Sequence, residues 1–130
     1  MKRVLILFGF MSLLFSMNGQ TNFGPWILLA EQNDVKIYRS YSTCDGELKV
    51  LLKVENNSAY NYQVSFDSAF DLNGSLFLVD LPKQVTVNAG DTSGGNCQNP
   101  DLSINPFNYI TSVKLGESDF VIQNLQIVQL

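Results

Sequence analysis

The sequence predicts an all-β domain, an antiparallel sandwich of about eight strands with one disulfide, and three observations carry that reading. Apolar and polar residues alternate with period two in one short segment after another. Clusters of Asn, Asp, Gly, Ser and Pro separate those segments at intervals of about ten residues. Beyond the first residues, no window keeps apolar side chains at helical three-four spacing without a turn cluster inside it. An up-and-down barrel would satisfy the same strand count. The bridge between the only two cysteines, Cys44 and Cys97, favours the sandwich.

The elements follow in order. Met1-Lys2-Arg3 is a positive lead, Val4 to Phe15 is apolar apart from Gly9 and Ser12, and Ser16 to Gln20 is small and polar. That is the layout of a secretory signal peptide, so residues 1–19 are expected to be removed and 20–130 to form one domain. The apolar stretch is short for a bilayer that needs about twenty residues, and no later stretch would span one. Trp26 to Glu31 is apolar on both parities and pairs across Gln32-Asn33-Asp34 with the alternating Val35 to Tyr41.

Asp45-Gly46 is a preferred two-residue hairpin turn, because both of its central positions need positive φ. It opens the strand through Glu55, with Leu48, Val50, Leu52 and Val54 on one face and Lys49, Lys53 and Glu55 on a wet one, Leu51 alone being out of place. After Asn56-Asn57-Ser58, Tyr60, Tyr62, Val64 and Phe66 alternate with polar residues without a miss. The pattern breaks from Ser68 to Ser75 around Asp71-Leu72-Asn73-Gly74. Leu76 to Leu81 is then an apolar run broken only by Asp80 and ended by Pro82, which lacks an N–H and so favours an edge or a strand switch.

Val85 and Val87 alternate up to the Ala89-Gly90-Asp91 turn, and Thr92 to Pro106 reads as a loop pinned by Cys97. Tyr109 to Leu115 and Asp119 to Leu130 read as a terminal hairpin. Within the latter, apolar parity changes between Ile122 and Leu125, the mark of a bulge near Asn124.

Charge and composition narrow the function. The chain carries 8 basic and 12 acidic residues, and loss of Lys2 and Arg3 would leave 6 − 12 = −6. Nucleic acid and anionic membrane surfaces are therefore unsuitable partners, since both are held by clustered Lys and Arg. Two cysteines behind an export signal suit a bridge in an oxidising compartment, periplasmic or extracellular. Closing so long a loop contributes up to about 4 kcal/mol in the chain-entropy view.

There is no histidine, which removes the usual general base and zinc ligand. With both thiols oxidised, neither an enzyme nor a cofactor is expected. Asp67, Asp71 and Asn73 space oxygen atoms as in a calcium loop, but the closing bidentate glutamate is missing, and acidic residues beside turns serve local hydrogen bonds. Asp67-Ser68-Ala69 matches a bacterial O-glycosylation motif that would place a sugar on Ser68. Asn56-Asn57-Ser58 and Asn73-Gly74-Ser75 fit the N-glycosylation sequon. Trp26, Tyr38, Tyr41 and Tyr109 are the candidate ligand-facing aromatics, with Tyr38 and Tyr41 on opposite parity. Tyr60 and Tyr62 share the parity of Val64 and Phe66 and are assigned to the core.

An early tryptophan, the alternation from Leu48 to Val54 and the Val85-Thr86-Val87-Asn88-Ala89-Gly90-Asp91 turn resemble the immunoglobulin-like or fibronectin-III-like modules of exported bacterial proteins, over Trp26 to Leu130. The likeness departs from antibody-type domains at the bridge, whose cysteines sit beside turns and follow Trp26. It implies architecture and not activity. The expected function is that of a non-catalytic exported binding or accessory module with a protein partner, its doubly apolar strands at Trp26–Ala30 and Leu76–Val79 being free to extend into that partner. Polysaccharide binding by the aromatics is the alternative.

Overall fold

The computed structural model describes residues 23–106 and 118–130. Within them the chain forms eight strands and one 3-10 turn: β1 (Ile27–Gln32), β2 (Val35–Cys44), β3 (Glu47–Asn56), β4 (Tyr62–Leu72), β5 (Ser75–Val87), β6 (Thr92–Gly94), the turn Pro100–Leu102, β7 (Ser103–Ile104) and β8 (Ser118–Gln129). They make two antiparallel sheets. The first has the order β1-β2-β3-β6, with β7 also on the β3 edge, and the second the order β5-β4-β8. The result is a sandwich and not a closed barrel. Across the sandwich β1 lies over β8, and β5 over β6. The expected signal segment and Tyr109 to Leu115 lie outside the described residues.

Three hairpins are built the same way. Asn33-Asp34, Asp45-Gly46 and Asn73-Gly74 all hold positive φ at both positions, the type I′ geometry whose twist matches that of the flanking strands. Each thereby fixes a register: Gln32 faces Val35, Cys44 faces Glu47, and Leu72 faces Ser75. Asn56 organises the crossing from one sheet to the other. Its buried side-chain amide donates to the Tyr60 and Val87 carbonyls at 2.7 and 3.1 Å and accepts from Ser58. That burial removes Asn56 from any glycosylation sequon, whereas Asn73 stands exposed in its turn.

The core lies between the sheets. Val35, Ile37, Val50, Leu52 and Val54 from the first sheet meet Tyr62, Val64, Phe66, Phe70, Val79, Val87 and Phe120 from the second, with Leu102 and Ile104 closing the side. Phe70 and Phe120 pack edge to face, 5.4 Å between ring centroids, a favoured aromatic arrangement. The bridge Cys44–Cys97 spans 53 positions and ties the end of β2 to the loop after β6.

Several expectations from the sequence change. Tyr60 is exposed in the turn before β4 and only Tyr62 joins the core, because β4 begins at Tyr62. The pattern break after Asp67 does not end the strand. β4 runs on to Leu72 with its parity kept, Ser68 and Phe70 being buried like Tyr62, Val64 and Phe66, while the register slips there against both neighbours through extra residues in β5 and β8. The supposed loop from Thr92 to Pro106 supplies the short strands β6 and β7. The outer face of β2–β3 is not wet throughout, since Ser40, Ser42, Cys44 and Leu51 are buried. The chain at Gly24 lies against it, with Ser40 Oγ donating to the Gly24 carbonyl at 2.9 Å, and a Cβ on Gly24 would strike the Tyr41 carbonyl.

Two finer readings hold. The bulge in the last strand is at Asn124, which has φ 51°; one extra residue of β8 is accommodated between Gln123 and Gln126, and the Asn124 amide donates to Asp67 Oδ2 at 2.7 Å. Pro82 does sit in an edge strand, although β5 continues past it through a local slip.

Candidate functional site

A sheet closed into a barrel has no free edge, but among the described residues this sandwich has several, and they differ in what they present. Among the described residues β5 pairs only with β4. The two-residue turn makes Leu72 and Ser75 a hydrogen-bonded pair, and from there bonded and non-bonded pairs alternate. Ser75, Phe77 and Val79 therefore direct their backbone groups to β4, while Leu76 and Leu78 turn theirs to the open edge. The side chains match that openness: Leu76 is 46 % exposed, Phe77 45 % and Leu78 65 %. Leu76 and Leu78 lie on the outer face, and Phe77 lies on the inner face beside Phe70 and Phe120 in register.

The other half of the same strand is different. Between Val79 and Lys83 the register against β4 slips, two β5 residues being added opposite Asp67, and Pro82 has no N–H to offer. Bulges, proline and lysine are the devices by which an edge is made unattractive to another strand. They are gathered at Pro82-Lys83, and none falls within Ser75–Val79.

At the opposite edge β1 also shows apolar side chains, with Ile27 and Leu28 exposed. Leu29 is a bulged residue packed on the core, between Leu28 opposite Tyr38 and Ala30 opposite Ile37. By the hairpin alternation Glu31 is the residue that turns its backbone outward beside that bulge.

The candidate aromatics are dispersed. Trp26 and Tyr38 are half-buried and share the outer face of the first sheet, with the Lys53 ammonium 4.4 Å from the Trp26 centroid and 4.8 Å from that of Tyr38. Glu55 lies 3.4 Å from the same ammonium. This cation–aromatic contact was legible from the turn, because a register fixed at Asp45-Gly46 sets Lys53 opposite Tyr38.

Tyr41 is on the inner side, as its parity requires. The Arg39 guanidinium lies 4.4 Å over its ring, and its hydroxyl oxygen accepts from the Phe120 N–H at 3.0 Å. Arg39, only 14 % exposed, reaches to 3.6 Å from Asp119 of β8. These groups join the two sheets rather than face a ligand. Tyr109 lies outside the described residues.

Ser68 is 2 % exposed and its hydroxyl is enclosed without a partner. A sugar on Ser68 does not fit the folded chain. Asp67 accepts from Asn124, and Asp71 Oδ1 accepts the Gly74 N–H at 2.8 Å, so both carboxylates serve turn and bulge. Among the described residues no cluster of His, Cys, Asp and Glu is arranged to hold a metal, and no helix is long and apolar enough to cross a membrane. No protein-family model, curated protein or solved structure matches this chain.

Proposed function

We propose that the protein is a non-catalytic binding module that works outside the reducing cytoplasm and takes a protein partner by strand addition at the β5 edge. The observation that carries this reading is the stretch Ser75–Val79: an edge with outward backbone groups at Leu76 and Leu78, three exposed apolar side chains and no blunting device. The disulfide supports an oxidising location, since such bridges persist there and are rare in the cytosol. Support for polysaccharide binding is weaker, because the Lys53 ammonium already occupies a position over both the Trp26 and Tyr38 rings.

Site-specific photo-crosslinking in the producing cells tests the reading. A photoreactive residue at Leu78 is expected to yield a discrete protein adduct. The same residue at Gln84, exposed on the same strand beyond Pro82, is expected to yield none. Equal yields at the two positions, or no adduct at Leu78, would remove the β5 edge from consideration.

A further inference from the structure

We infer that the strand added to β5 is β5 of a second copy of this chain, antiparallel about a two-fold axis through Phe77. The inference rests on the strand-addition reading above and names its partner. Around Phe77 the sequence is palindromic, Leu76-Phe77-Leu78. A two-fold interface brings each position of one copy against its mirror position in the other, so self-complementarity is what it requires. A different partner would place no such demand on this strand.

The backbone selects the same register. Only Leu76 and Leu78 turn their N–H and C=O groups outward between the hairpin turn and the slip at residue 80. With the axis through Phe77, Leu76 faces Leu78 of the second copy and Leu78 faces its Leu76, and each pair exchanges both of its hydrogen bonds. An axis at Leu76 would set Leu78 against the turn residue Gly74, and one at Leu78 would set Leu76 against the slip. Registers displaced by one residue set outward groups against inward ones. A single register therefore satisfies all the free groups.

Side chains and charge agree with that register. A two-fold axis perpendicular to the sheet keeps each face, so Leu76 and Leu78 of both copies form one apolar patch on the outer face, with Ala69 and Val121 beside Leu78 and Asp71 and Asp119 beside Leu76. The two Phe77 rings meet on the inner face as a non-hydrogen-bonded pair, the closer of the two antiparallel pair types. No charged residue lies within Ser75–Val79, so a chain of net charge −4 meets its own copy here without opposing like charges. The two three-stranded sheets become one sheet of twice that width, and the edge disappears. β1 does not offer the same solution, because its outward position is Glu31, next to the Leu29 bulge, and a second copy would bring carboxylates together.

Sedimentation velocity of the purified, unreduced chain over a dilution series is the first test, and a concentration-dependent dimer is expected. Leu78→Lys, at an exposed position, is expected to leave the monomer folded and to weaken the dimer by at least about thirtyfold, the loss typical of a central anchor. Phe77→Cys, with Cys44 and Cys97 kept, reports the register. Under mild oxidation it is expected to form a covalent dimer, whereas Leu76→Cys and Leu78→Cys, each facing a leucine, are not.

A wild-type chain that stays monomeric, a dimer indifferent to Leu78→Lys, or cross-linking at position 76 or 78 in place of 77 would overturn the inference. If the chain is monomeric while the photo-crosslinker at Leu78 captures a different protein, the second copy is excluded and strand addition stands. If neither association is found, both fall.

Discussion

β1 and β5 are both edge strands with exposed apolar side chains, yet they are unequal as docking edges. On β1 the exposed pair Ile27 and Leu28 is followed at once by the Leu29 bulge and the charged Glu31. On β5 the exposed run Leu76 to Leu78 lies between a regular turn and the slip before Lys83, with an unbroken ladder behind it. Apolar exposure alone does not make an edge available to another strand. Availability needs outward backbone groups in regular spacing with no charge among them, and only β5 supplies that.

The largest way to break the comparison is to remove what supports β5 from behind. Phe70 is fully buried, faces Phe77 across the strand pair and packs on the Phe120 ring. Phe70→Ala is expected to cost about 3–5 kcal/mol by urea denaturation. Hydrogen exchange is expected to quicken more at Phe77 and Val79, whose amides bond to β4, than in β1. Uniform quickening would mean that the two edges are not separately supported.

Removing the bridge acts on the other sheet. Cys44→Ala with Cys97→Ala frees the loop that lies beyond β6 and is expected to cost up to about 4 kcal/mol, less whatever structure the unfolded chain retains. Differential scanning calorimetry checks the loss. The β5 edge should keep its association at temperatures where this variant remains folded, because Cys97 lies in the first sheet's connection.

Substituting the edges themselves is milder for folding. Leu78→Lys and Leu28→Lys, both at exposed positions, are each expected to change stability by no more than about 0.5 kcal/mol. Sedimentation should separate them: Leu78→Lys weakens association by at least about thirtyfold and Leu28→Lys leaves it. If Leu28→Lys is the variant that dissociates, the ranking of the two edges is reversed.

Much of this contrast was legible in the sequence. Asn33-Asp34 and Asp45-Gly46 announced two hairpins and Asp71 to Gly74 a turn, because those residue types tolerate the positive φ that the turns demand. Alternation located the core faces of β2 and β3, and Pro82 pointed to an edge or a strand switch, of which the fold uses the edge. What alternation did not reveal arises where an extra residue shifts parity, as at Leu29 in β1. Beyond such a shift, period two still reads as regular but refers to the other face. Ser68 is a different case: it keeps the parity of Tyr62, Val64, Phe66 and Phe70, so alternation places it inward, and the break read after Asp67 is what hid its burial. The burial of Leu51 had a different cause, since a face read as wet from its lysines is partly covered by other parts of the chain. Arg39 was visible as a charge on the parity of Val35 and Ile37, but its partner Asp119 is 80 positions away (119 − 39 = 80) and belongs to the other sheet.

β8, which among the described residues pairs only with β4, sharpens the comparison by the smallest expected effect. Its bulge residue Asn124 holds φ 51° and donates to Asp67 from an exposed position. The left-handed backbone region costs an ordinary L-residue about 1–2 kcal/mol and glycine almost nothing. Asn124→Ala is therefore expected to lose about 1 kcal/mol, within that backbone cost, and Asn124→Gly only a few tenths, because an exposed hydrogen bond contributes little net stability. Chemical denaturation of the two variants side by side isolates the backbone term, since both lack the amide. An Ala variant as stable as the Gly variant would mean that the bulge relaxes into regular strand. β8 would then become a longer, flatter strand beside β4, and its amide exchange should slow where the bulge had interrupted the ladder.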